Sequence, residues 1–67
     1  MAIFKVKIPD MMCEHCEKRI RTAVTEAGGN TKSLDLSSKE VVIEINATAD
    51  KLLALLDDAG YDAQIIN

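Results

Sequence analysis

The apolar residues of this chain change their spacing in a fixed order, and that order constrains the fold more than any other feature. Phe4, Val6 and Ile8 alternate with Lys5 and Lys7, so residues 2–8 are expected to form a strand with one buried face. Pro9-Asp10 breaks it. From Glu14 the period lengthens: Cys16, Ile20, Ala23, Val24 and Ala27 form the stripe of an amphipathic helix, ended by Gly28-Gly29. Leu34 and Leu36 alternate with Ser33, Asp35 and Ser37 to give a second strand, and Ser37-Ser38-Lys39 is a short turn. Val41, Ile43 and Ile45 mark a third strand. Thr48 is a candidate N-cap for a second helix whose stripe is Leu52, Leu55, Leu56 and Ala59, with Leu53 at its edge and Gly60 closing it. Residues 61–66, with Ala63 and Ile65 on one side, complete the pattern as a last strand.

Strand, helix, strand, strand, helix, strand is two strand-helix-strand halves. Right-handed crossovers put both helices on one face of one sheet. The expected fold is therefore α+β: a ferredoxin-like βαββαβ two-layer sandwich, with a four-stranded antiparallel sheet under two helices. Lys5, Lys7, Asp35, Glu40, Glu44, Asp62 and Gln64 would face water, with Lys5 and Lys7 beside Glu40 and Glu44. Sixty-seven residues allow one domain, 1–67, with a marginal core. That leaves little room for a deep substrate cleft, so an enzyme is not expected. No apolar run approaches the roughly 20 residues that span a bilayer, which argues against membrane insertion. A net charge of −3 argues against a nucleic-acid partner. Met1 runs straight into the first strand with no secretory leader, so a cytoplasmic location is the expectation.

The chain has two cysteines, in Cys13-Glu14-His15-Cys16. A structural disulfide there closes too short a loop to stabilise much. Buried inert thiols fit poorly between Pro9 and a helix start. A closed structural zinc site needs about four ligands, and two thiols and one imidazole fall short. A two-thiol metal site or a redox dithiol remains, and the spacing alone does not separate them. The first half also carries about five more positions than the second between its strand and its helix-closing glycine. Asp10 to Glu14 fall in that excess, and an insertion holding a thiol points to function. Cys16 is in phase with the helix stripe and should be partly covered; Cys13 should be more exposed. Both would face the positive N-terminal end of the helix, which favours thiolate. Two thiolates and a monovalent ion make a complex of charge −1, which that helix end stabilises. Soft thiolates prefer soft ions, Cu(I) first and Zn(II) behind it. A two-coordinate ion is also open to attack by an incoming thiolate, so it could pass to a partner without being free.

Met11-Met12-Cys13-Glu14-His15-Cys16, closing a strand and opening a helix, resembles the M-x-C-x-x-C motif of heavy-metal-associated domains, which include copper chaperones and the N-terminal domains of heavy-metal-transporting ATPases. The resemblance spans the chain, including Gly60-Tyr61-Asp62-Ala63. It implies that Cys13 and Cys16 bind Cu(I), that Met11 supports the loop from the core without binding metal, and that Tyr61 lies near the site. It also implies a partner, the metal-binding domain of a copper-transporting ATPase. Two positions depart from the family pattern: Asp10 replaces the usual glycine, and Met12 replaces the usual threonine or serine. Zinc- and cadmium-selective relatives often carry aspartate directly before the first cysteine; its absence favours copper.

Each remaining candidate has a plain alternative. Met12 could add a thioether ligand, or simply offer an adaptable contact to a partner. His15 points about 100° around the helix from Cys16. It is read as a solvated helix-end histidine, with ligation in a metal-bridged homodimer or pH-dependent release as the alternative. Lys18, Arg19 and Arg21 against Glu14 and Glu17 read as a solvated face with Glu14–Lys18 and Glu17–Arg21 pairs, or as a face that steers docking. The function expected is a cytosolic copper(I) chaperone handing its ion to a copper-transporting ATPase. The alternatives are a zinc, cadmium or mercury carrier, one domain of a larger transporter, and, last, a thiol-disulfide oxidoreductase.

Overall fold

The computed structural model describes residues 2–66. Along the chain run β1 (Ala2–Lys7), α1 (Glu14–Glu26), β2 (Asn30–Asp35), β3 (Glu40–Ile45), α2 (Ala49–Asp58) and β4 (Gln64–Ile65). The strands form one sheet in the order β2-β3-β1-β4, and each neighbouring pair is antiparallel. This is the ferredoxin-like sandwich expected from the periodicity.

The core lies between sheet and helices. Val6, Val41, Ile43 and Ile45 project from one sheet face onto Ile20 and Val24 of α1 and Leu52 and Leu56 of α2. Alternation within β3 is strict: Val41, Ile43 and Ile45 are buried, and the residues between them are not. Thr48 caps α2, its hydroxyl accepting the Lys51 N–H at 3.2 Å. Ala27, placed on the α1 stripe by its spacing, is exposed instead, because the helix has ended by Glu26 and the chain is already turning. The chain leaving α1 passes close to both that helix and β3. At Gly29 a Cβ would fall 2.9 Å from Val24 Cγ1 and 3.1 Å from the Glu44 carbonyl oxygen.

Two elements differ from the sequence reading. β2 begins at Asn30 and carries an irregular register between Thr31 and Ser33, so Leu36 falls beyond the strand, in the turn. The Asp35 carboxylate organises that turn by accepting the Ser37 hydroxyl at 2.7 Å and the Ser37 N–H at 2.9 Å, and these bonds lower its pKa. Lys39 completes it at φ 64, a left-handed conformation unusual for a side-chain-bearing residue. β4 is only two residues long, against the expected 61–66, because Tyr61 is used to close α2.

The open sheet face is charged, as expected. Lys5 pairs with Glu40 at 3.2 Å, but Glu44 takes its cation from Lys32 of β2, at 3.4 Å. Ile3 and Ile66 are also exposed, at 54% and 41%. On α1 the Glu17–Arg21 pair forms at 3.3 Å, whereas Glu14 and Lys18 are not within ion-pair distance. No helix among the described residues is long and apolar enough to cross a membrane.

Candidate metal centre

The loop between β1 and α1 is fixed from beneath. Ile8 donates its N–H to the Lys39 carbonyl at 2.8 Å, extending the ladder beyond β1, and its own carbonyl accepts the Met11 N–H at 3.0 Å. This turn carries Met11 inward, where it is fully buried among the core residues. The neighbouring positions face water, and Met12 is 71% exposed. One methionine therefore anchors the loop and the other stands on its surface.

Cys13 is the N-cap of α1, in an extended conformation, and its side chain caps no backbone N–H. A serine or aspartate there would ordinarily spend its oxygen on the helix; the thiol stays available. Cys16 lies one turn further on, half-buried against the core. Both cysteines are free, with their sulfurs 3.7 Å apart. The exposed outer and half-covered inner thiol match the arrangement deduced from helical phase.

Tyr61 comes to the site from the other half of the fold. After α2 the chain reverses at Gly60, whose φ of +94 suits glycine. The Gly60 N–H donates to the Asp57 carbonyl at 2.9 Å and the Tyr61 N–H to the Leu56 carbonyl at 3.0 Å. This paired cap leaves the residue after the glycine packed back onto the helix, and Tyr61 is only 6% exposed. Its phenol acts on Cys16, favouring the thiolate there. The Tyr61 hydroxyl first, then the Met12 N–H and contacts from Cys13, lower the Cys16 pKa from 9.0 to about 7, against the opposing effect of burial. The neighbouring Cys16 thiol, with burial, raises the pKa of Tyr61. The leading influence on the inner thiol is therefore a phenol hydroxyl from the opposite half, ahead of the loop N–H groups; sequence reasoning had looked to the helix end.

His15 is exposed beside Cys16. Among the described residues no three His, Cys, Asp or Glu side chains converge as a metal site, so His15 is not brought together with the two thiols. Arg19, read from the sequence as part of a solvated or docking face, also reaches the second half of the fold. Its guanidinium lies over the Tyr61 ring, 5.7 Å from the centroid, and its Nη2 donates to the Ala59 carbonyl at 3.2 Å. Its position three residues after Cys16 was the available signal, since residues three apart share a helix face.

A two-layer fold that presents an open pair of thiols at the start of its first helix defines a class of metal-trafficking domains. A sequence model of the heavy-metal-associated domain matches residues 5–62, and the chain belongs to that family. It is 35% identical to the mouse copper transport protein ATOX1 over 51 residues, covering 76% of this chain and 75% of that one. It is 28% identical to the copper chaperone CopZ of Archaeoglobus fulgidus and 30% identical to a probable copper-exporting P-type ATPase of the same organism, over 91% and 90% of this chain. The chain spans 30% of that CopZ and 7% of that ATPase. Among solved structures, the copper chaperone Atx1 of Synechocystis superposes with a TM-score of 0.82 at 27% identity, covering 90% of this chain and 97% of that one.

Proposed function

We propose that residues 1–67 act as a single domain that carries one Cu(I) between Cys13 and Cys16 in the cytoplasm and delivers it to the metal-binding domain of a copper-transporting ATPase. The observation that carries this reading is the pair of free sulfurs 3.7 Å apart, one exposed, with no His, Asp or Glu joining them in a cluster among the described residues. Metal–sulfur bonds of about 2.3 Å put two sulfurs roughly 4.6 Å apart when collinear. Cys13, on an exposed helix start, has the freedom to move that small distance. Zn(II) would need about two further ligands from elsewhere, whereas Cu(I) is content with soft sulfur donors alone. A reducing cytoplasm keeps both thiols available. Likeness to both copper chaperones and a copper-exporting ATPase supports a carrier and an acceptor built alike.

Transfer is ligand exchange. A partner thiolate bonds to the ion from the exposed Cys13 side, and the Cys13–copper bond breaks. A second partner thiolate then replaces Cys16. Copper stays Cu(I), no electrons move, and each departing sulfur takes up a proton equivalent to the one lost by the incoming thiol.

Competition between Cu(I) and Zn(II) in reducing buffer, read by native mass spectrometry, tests the proposal. One Cu(I) per chain, retained against equimolar Zn(II), is expected, and Cys13→Ser should abolish that retention. Preferred Zn(II) uptake, or unchanged copper binding in Cys13→Ser, would end it.

A further inference from the structure

Arg19 makes two contacts on α2's side of the molecule that a residue of a solvated face would not make. Its Nη2 reaches the Ala59 carbonyl, and the same guanidinium covers the Tyr61 ring. α2 needs such a cation: its last turn holds Asp57 and Asp58 and no basic residue, the wrong charge for the negative end of a helix. Ala59 and Tyr61 flank Gly60, the residue at which the chain reverses. Arg19 thus grips the reversal on both sides, and Tyr61 leaves that reversal buried in the core against which Cys16 packs. A planar guanidinium can donate at its edge and stack with its face at once; an ammonium cannot.

We infer that Arg19 is a positioning residue of the dithiol site: tied to the Ala59 carbonyl and laid over the Tyr61 ring, it holds the Tyr61 phenol toward Cys16 and so slows the loss of a bound soft ion. The inference rests on the copper-carrier reading of that site. A residue that merely capped α2 would stabilise the fold without acting through Tyr61, and that difference is measurable.

Arg19→Ala, Arg19→Lys, Tyr61→Phe and the Arg19→Ala/Tyr61→Phe double variant of the full chain are compared, with circular dichroism confirming that each is folded. In the metal-free protein, the NOE between the Tyr61 ring protons and the Cys16 β protons should fall by at least about half in both Arg19 variants, given a stacking contribution of this size. In the copper-loaded protein, extraction of Cu(I) by excess bicinchoninate should be about threefold faster in Arg19→Ala, Arg19→Lys and Tyr61→Phe alike. The double variant should be no faster than Tyr61→Phe. An undiminished NOE, full retention in Arg19→Lys, or an Arg19→Ala effect that persists undiminished without the Tyr61 hydroxyl would each overturn the inference. If the wild-type chain takes up no Cu(I), the carrier reading fails, while the NOE still decides whether Arg19 holds Tyr61.

Discussion

Replacing Tyr61 with phenylalanine removes one oxygen and keeps the buried ring, so it isolates the influence of the hydroxyl on Cys16. Four contacts lower the Cys16 pKa from 9.0 to about 7: the Tyr61 hydroxyl, the Met12 N–H, and the side chain and backbone of Cys13. Tyr61 makes the largest contribution, so it supplies at least a quarter of that drop, which is about threefold in acidity. The assay is alkylation of the metal-free, reduced chain by iodoacetamide across pH 5–10, with peptide mapping to separate Cys16 from Cys13. The midpoint of the pH profile is the proper readout, because a less acidic thiolate is also intrinsically more nucleophilic, and a rate at one pH mixes the two effects. The wild-type Cys16 midpoint should fall near 7, and in Tyr61→Phe it should rise by a quarter or more of the way back to 9.0 while the fold persists. A wild-type midpoint near 9, or an identical midpoint in the variant, would refute the claim that a hydroxyl from the second half governs the inner thiol.

Other consequences are open to measurement. Met11→Ala removes a fully buried side chain under the loop and should cost about 2–5 kcal/mol, seen as a melting temperature lower by about 10 °C or more. Lys39→Gly relieves the left-handed backbone at the β2–β3 turn and should stabilise by about 0.5–1 kcal/mol; an unchanged or lower urea midpoint would contradict this. The metal-free chain should gain stability as the pH rises from about 7 to 9, because the unfolded thiol still holds a proton that folded Cys16 has released. That gain is complete above about 9 and is lost as the pH falls through 7. Melting in reducing buffer at a series of pH values should show it, and Cys16→Ser should flatten it.

The elements were legible because burial here follows two periods cleanly. The alternation in β1 and β3, the Leu52–Leu56 stripe and the Thr48 cap each speak through adjacent residues. So did the unequal exposure of Cys13 and Cys16, which follows from helical phase alone. What could not be read was set by contacts between residues remote in sequence. The irregular register in β2 depends on its pairing with β3. The early end of regular structure before β4 depends on Tyr61 closing α2. Arg19 looked like part of a charged face, because nothing local reveals that the Ala59 carbonyl and the Tyr61 ring lie within its reach. The causes of the Cys16 acidity were hidden for the same reason.

Because the phenol that most lowers the Cys16 pKa is delivered by the closing turn of α2, the acidity of that thiol depends on both halves of the fold having come together. A nascent or partly opened chain carries the same two cysteines, but with ordinary thiols that stay protonated at neutral pH. Assembly of the fold is thus coupled to the state of the inner thiol: only molecules in which Tyr61 has closed onto α2 present a sulfur that sheds its proton near neutral pH.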